Sequence, residues 1–169
     1  MAKSVEQLVA PPARASDRPL VMRKARVTDV GAMHATINHY AAAQLMLPKT
    51  HLQLYENLRD YTVAVEGEEV LGCGALHIYW EDLAEIRAVA VRPGITQKGV
   101  GTRLVEQLIA EGRSFGLQQL FVFTYVPAFF GRFGFIQVEH RTMPLKVYNE
   151  CFHCPKFNTC DEIAMVLHL

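Results

Sequence analysis

The sequence predicts an α/β fold, a mixed β-sheet flanked by helices. Three observations predict it. Tyr61 to Val65 and Val70 to Tyr79 are strand-like runs around the polar turn Glu66-Gly67-Glu68-Glu69, which reads as an antiparallel hairpin. Leu83 to Val91 is a further apolar strand that stops at Arg92-Pro93 and passes through a glycine-bearing loop into a helix beginning near Gly99. Gln119 to Thr124 is apolar on both faces and therefore belongs in the middle of a sheet. Antiparallel strands followed by β-α-β-α units make a mixed sheet with helices packed on it.

The remaining elements follow in order. Residues 20–27 (Leu-Val-Met-Arg-Lys-Ala-Arg-Val) read as a first strand. Thr28 or Asp29 can cap a helix running to about Gln44, with Met33, Ile37, Tyr40 and Ala41 at helical spacing. Pro48 breaks the chain, and Thr50 with Gln53 forms a capping-box pattern for a short helix to about Arg59 that turns Leu54 and Leu58 inward. Val100, Leu104, Val105, Leu108 and Ile109 give the third helix one apolar face, and Gly112 and Gly116 loosen its end. Pro127 starts a short helix over 128–133, and strands at Phe135 to Val138 and Ile163 to Leu167 complete the sheet.

Composition narrows the function. A chain of 169 residues with 50% hydrophobic and 20% charged residues fits one globular domain rather than a disordered segment. Seventeen Lys and Arg balance seventeen Asp and Glu, which argues against a nucleic-acid partner held by phosphate attraction. No apolar run approaches the ~18 residues of a transmembrane helix. Residues 1–19 are rich in Ala and Pro with charges spread through them, so a flexible arm is expected there and the domain proper over 20–169. That arm lacks the apolar core of a secretory signal, so a cytoplasmic location is expected. In that setting Cys73, Cys151, Cys154 and Cys160 are not expected to form a disulfide framework.

The segment Glu85 to Gly101 concentrates the chemistry. A strand, a turn with Gly94, Gly99 and Gly101, and then a helix N-terminus present bare backbone N–H groups to an anion. No Gly-Lys-Ser/Thr follows Gly94, so this is not a Walker A loop, and the glycine spacing is wrong for a dinucleotide fingerprint. Glu85 offers a carboxylate at the other end of the same strand. Strand alternation puts Arg87 on its face, so an ion pair is the competing reading of both residues. Near the C-terminus, Cys151, His153, Cys154 and Cys160 have the donor atoms of a zinc site, but Cys-x2-Cys-x5-Cys matches no standard zinc knuckle. Free thiols ordering a short loop, with no metal, are the preferred reading, and structural zinc is the alternative.

Val89-Ala90-Val91-Arg92-Pro93, Gly99-Val100-Gly101 and Phe129-Phe130-Gly131-Arg132-Phe133-Gly134-Phe135 resemble the Gcn5-related N-acetyltransferases (GNAT) over about residues 20–169. Within that superfamily, Met46 to Thr50, Leu54 to Asp60, Leu71 to Leu76, Ala84 to Arg87 and Leu120 to Thr124 look most like the N-acetylglutamate synthase branch in its short form, without a kinase-like domain. The resemblance implies the acyl-CoA N-acyltransferase fold and acetyl-CoA as co-substrate. It places the pyrophosphate on amides from Gln97 through Lys98, Gly99, Val100 and Gly101 to Thr102, although Thr96 stands where the family usually has Arg or Gln. It lays the pantetheine arm along Val89, Ala90 and Val91, with Phe129 and Phe130 beside it.

The same resemblance makes Glu85 the base that frees the acceptor amine. The family's usual tyrosine acid is Phe130 here, which leaves Thr124, with Tyr125 as runner-up, to assist the departing thiolate. It also implies L-glutamate as acceptor, in the first step of arginine synthesis, with Lys49 binding a carboxylate. Arg26, Arg87 and Lys146 are further cationic candidates. An acetyltransferase for another amine, and a non-catalytic module sensing CoA or arginine, remain open, as does homodimerisation.

Overall fold

The computed structural model describes residues 18–95, 99–144, 148, 151–154 and 156–169. Most of the expected N-terminal arm, Thr96, Gln97, Lys98 and Lys146 lie outside the described residues.

Among the described residues seven strands form one mixed sheet. They are β1 (Leu20–Lys24), β2 (Tyr61–Glu66), β3 (Glu69–Trp80), β4 (Leu83–Val91), β5 (Gln119–Thr124), β6 (Ile136–Gln137) and β7 (Ile163–His168), in the order β1-β2-β3-β4-β5-β7-β6. Every neighbouring pair is antiparallel except β4 and β5. The helices are α1 (Val30–Ala42), α2 (His51–Glu56), α3 (Val100–Ser114) and α4 (Pro127–Gly131).

Each side of the sheet buries the stripe that its helices supply. On one face Ile86, Leu120 and Val122 pack with Val105 and Leu108 of α3 and Phe130 of α4. On the other, Val63, Cys73 and Ala75 meet Val30, Met33 and Ile37 of α1 and Leu54 of α2. Each such aliphatic side chain contributes about 1.5–3 kcal/mol on burial. The capping box of α2 forms as expected: the Gln53 amide donates to Thr50 Oγ1 at 3.2 Å and the Thr50 amide donates to Gln53 Oε1 at 2.9 Å.

Several expected boundaries shift. The first strand ends at Lys24 rather than Val27 because Asp29 draws the chain out of the sheet. Its carboxylate accepts two bonds from Arg23, at 2.6 and 3.0 Å, and one from the Arg26 amide at 2.7 Å. The short helix after Thr50 stops at Glu56, and Leu58–Asp60 is a single 3-10 turn. Gly112 does not loosen the third helix. It is buried within α3, where a Cβ would stand 3.1 Å from a Leu120 methyl, so the glycine lets the helix approach β5. The turn beyond the helix falls at Gly116, whose φ of +74° suits glycine.

What positions the site is a separation between the two parallel strands. β4 and β5 pair only over Leu83–Glu85 and Gln119–Phe121. Beyond that point both strands continue, to Val91 and Thr124, without pairing to one another. A register shift against β3 between Cys73 and Ala75 accompanies a positive φ of +52° at Ala88. Such a bulge bends a strand and re-aims its backbone.

Candidate active site

Two cavities open from this separation. One, of about 500 Å³, runs along Ala88, Val89, Ala90 and Val91 to Gly101, with Thr124, Tyr125, Phe129 and Phe130 on its opposite wall. The other, of about 530 Å³, lies under Pro48, Gln53, Tyr79, His140 and the Cys151–Cys160 segment. Leu47, Lys49, Glu85, Arg87, Phe123 and Glu162 line both, so these six residues mark where the two spaces meet. A third hollow of about 560 Å³, between α1 and the β2–β3 turn, shares no lining residue with either.

The first cavity suits an extended polar chain ending in phosphates. One edge of β4 is bonded to β3, and beyond Glu85 the other edge has no partner in β5. Gly99 caps α3 in the left-handed conformation at φ +62°, which turns the chain so that the first amides of α3 face outward from its N-terminus. Gly101 stands on the cavity wall, and a Cβ there would lie 3.6 Å from both Val91 and Phe129. Phe130 is only 4% exposed, packed edge-on against Phe129 and Phe135, and so serves as floor and core together.

The junction carries the charges. Glu85 Oε2 accepts from the Tyr79 hydroxyl at 3.2 Å and lies 3.8 Å from Arg87 Nη1. Arg87 Nη2 lies 3.9 Å from an Asp60 oxygen that also meets His77 Nδ1 at 2.6 Å. Lys49 is presented from the other side. Asn38 of α1 clamps its backbone, donating to the Lys49 carbonyl at 2.8 Å and accepting from its amide at 3.3 Å. Glu162 precedes β7, whose Ile163 pairs with Thr124, so the register itself brings the carboxyl beside the end of β5. Burial raises the Glu162 carboxyl from its ordinary value; Lys156 pulls it back, Asp161 adds to the rise and His140 opposes it.

The candidate acids differ in their surroundings. Thr124 is 5% exposed and its Oγ1 accepts from the Val126 amide at 2.9 Å, which leaves the hydroxyl proton available to donate. The Tyr125 hydroxyl donates to Asp161 at 2.7 Å and accepts from Lys156 at 2.9 Å. Burial raises the Tyr125 pKa.

Most of the residues expected from sequence converge. Glu85, Arg87 and Lys49 share the junction, and Thr124, Tyr125, Val89, Ala90, Val91, Gly101, Phe129 and Phe130 line the long arm. Val100 turns its side chain into the core, so its amide alone is placed to serve, as is that of Thr102 in the same first turn. Arg26 is exposed at the start of the 3-10 turn and lines neither cavity, because Asp29 fixes its backbone there. Cys151, Cys154 and Cys160 face the second cavity as free thiols. Burial, with Glu85 next in effect, pushes the Cys151 thiol up to about 11, away from the thiolate a metal would need. Among the described residues no three His, Cys, Asp or Glu side chains converge as a metal site. Sequence reasoning missed Glu162, Asp60, His77, Tyr79 and Asn38, since each reaches the site only through its register or its packing partner.

A model of the GNAT family of acetyltransferases matches residues 32–135. The chain belongs to that family. It is 38% identical, over 86% of its length and 94% of the relative's, to an uncharacterized N-acetyltransferase of Chlorobaculum tepidum. It is 40% identical to an amino-acid acetyltransferase of Mycobacterium tuberculosis, over 79% of this chain and 77% of that one. A solved M. tuberculosis protein in complex with CoA and NLQ superposes with a TM-score of 0.77 at 34% identity, covering 88% of this chain and 99% of that one. N-acetylglutamate synthase from Neisseria gonorrhoeae, in complex with coenzyme A and N-acetyl-glutamate, gives a TM-score of 0.81 at 21% identity. That match spans 91% of this chain and 36% of that one and shows the shared fold. As a GNAT protein this chain takes acetyl-CoA as its co-substrate, and the separated β4–β5 edge with the α3 N-terminus fits it. Among the described residues no helix is long and apolar enough to cross a membrane.

Proposed function

We propose that this protein transfers the acetyl group of acetyl-CoA to the α-amine of an amino acid, with L-glutamate the acceptor best matched to the site. One observation carries this reading: Lys49 and Arg87 stand with Glu85 where the two cavities meet. A dicarboxylate acceptor needs cations placed apart, and its ammonium needs a nearby proton acceptor. The names of the M. tuberculosis relative and of the N. gonorrhoeae neighbour support the same direction.

In this reading Glu85 takes one proton from the acceptor ammonium, directly or through water. The backbone N–H at Val89 polarises the thioester carbonyl. Amides from Gly99 to Thr102 hold the pyrophosphate, with Gln97 and Lys98 as further donors in the same loop. Thr124, and less directly Tyr125, stands by the departing sulfur. Lys49 and Arg87 orient the acceptor carboxylates, with Lys146 a further candidate. Alignment of the two substrates supplies much of the rate. Residues 20–169 form the transferase domain, acting in the cytoplasm at the first step of arginine synthesis, and homodimerisation is compatible with it.

The test is thiol release from acetyl-CoA across a panel of amino acids, with products weighed by mass spectrometry. Acetylglutamate as the main product is the expected result. Preference for another amine moves the acceptor assignment. CoA binding without turnover on any amine would favour a sensing module.

A further inference from the structure

Amide formation from an ammonium sheds two protons, and the site holds two carboxyls to handle them. Glu85 accounts for the first. The second leaves nitrogen as the C–N bond forms, and the sulfur needs one as the C–S bond breaks. The family's tyrosine is absent from position 130, where Phe130 is buried in apolar packing. Tyr125 has its proton committed to Asp161 and accepts from Lys156. Thr124 is a hydroxyl whose Oγ1 accepts from the Val126 amide, and among the described residues no base is hydrogen-bonded to it.

We propose that Glu162 carries the second proton from the acceptor nitrogen to the departing CoA sulfur. The proposal rests on the transferase reading above. Glu162 is one of the few side chains that line both the CoA arm and the acceptor space, so one carboxyl faces both the nitrogen and the sulfur side. Its place is set by backbone: the Thr124–Ile163 pair anchors residue 162 beside the end of β5. His140 Nε2 lies 2.7 Å from the Glu162 carbonyl and fixes the same peptide. Among the described residues no donor is hydrogen-bonded to the carboxyl oxygens, which leaves both for proton transfer. Glu85, Lys49, Arg87 and Cys151 face it across the cavities, and Lys156 and Asp161 flank it on its own segment.

The step balances without a co-reactant. The neutral amine attacks the carbonyl carbon and forms the C–N bond. The Glu162 carboxylate takes the remaining extra proton from nitrogen and becomes a carboxylic acid. The C–S bond breaks, its electron pair leaves on sulfur, and the carboxylic acid passes the same proton to that sulfur and returns to carboxylate. Burial raises the pKa of this carboxyl, which makes its carboxylate a better base for the proton on nitrogen, and the later transfer from a carboxylic acid to a thiolate, whose thiol has a pKa of ~8.5, runs downhill.

The test compares wild type with Glu162→Gln and Glu162→Ala, using thiol release for rate and calorimetry for CoA binding. Glu162→Gln should lower kcat about 10²-fold while KM for acetyl-CoA and CoA affinity stay near wild type. Glu162→Ala should regain much of its lost kcat when formate is added, because a small carboxylic acid can enter the space and shuttle the proton. A structural role would not respond to formate. Glu162→Gln with wild-type kcat overturns the proposal, as does a folded, CoA-binding Glu162→Ala that formate does not rescue. If Glu162→Ala fails to fold, the isosteric Gln variant decides. Wild type that binds CoA but acetylates no amine overturns the transferase reading and this proposal together.

Discussion

Gly101→Ala separates folding from binding in one substitution. The added Cβ would sit 3.6 Å from Val91 Cγ2 and 3.6 Å from Phe129 Cζ, ordinary contact distances, so nothing has to move. Gly101 lies in the first turn of α3, and alanine is better than glycine in a helix by about 1 kcal/mol. The variant should be as stable as wild type or up to ~1 kcal/mol more stable, which is ~2–4 °C in Tm for a chain of this size. Binding should move the other way. The methyl enters the wall where the phosphates approach the α3 amides, and one lost hydrogen bond to a charged group costs about 1.5–3 kcal/mol. That corresponds to a rise of about 10- to 100-fold in KM for acetyl-CoA. Thermal melts and initial-rate kinetics read both quantities on the same preparation. Gly99→Ala is the contrast: nothing lies within 4 Å of its added Cβ, but φ of +62° costs an alanine about 1–2 kcal/mol. An acetyl-CoA KM within about twofold of wild type in Gly101→Ala would refute the placement of the phosphates at this turn.

Lys49→Met should raise the acceptor KM by about tenfold or more, the worth of one charge-assisted contact, with acetyl-CoA KM unchanged; equal effects on both substrates would remove Lys49 from acceptor recognition. Glu85→Gln should cut kcat by about 10²–10⁴ with acetyl-CoA KM held, and retained kcat would reassign the first proton. Asp29→Asn should destabilise the fold by about 2–3 kcal/mol in urea unfolding, less than the ~3–5 for breaking a fully buried pair, because the Arg23 side chain is 21% exposed. The Arg23 hydrogen bond holds the Asp29 carboxyl below its ordinary 3.8. The stability this carboxylate contributes is therefore full above that value and lost as pH falls through the lower folded one, so the gap between wild type and Asp29→Asn should close in acid below about pH 4.

Much of the fold was legible because its signals are local. The hairpin at Tyr61–Trp80, the apolar stripe of α3 and the Thr50–Gln53 box each depend on neighbours within a turn or a strand pair. Gly112 was misread for the same reason: its locally visible property, low helix propensity, was outweighed by its contact with Leu120 across the sheet. Arg26 and Arg87 look alike as candidates, yet Asp29 holds the first outside the cleft while Asp60 helps hold the second inside it.

The sequence by itself determined the order of elements, the glycine turn into α3, Glu85 and Arg87 on one face of β4, and the loss of tyrosine at position 130, since periodicity and residue identity are written along the chain. Only the tertiary structure decided that β4 and β5 part after Glu85, that Ala88 takes a positive φ at the parting, and that Glu162 arrives beside Thr124. Those facts depend on which strands pair and in what register. Register is the outcome of packing both faces of the sheet at once, and no single segment contains it.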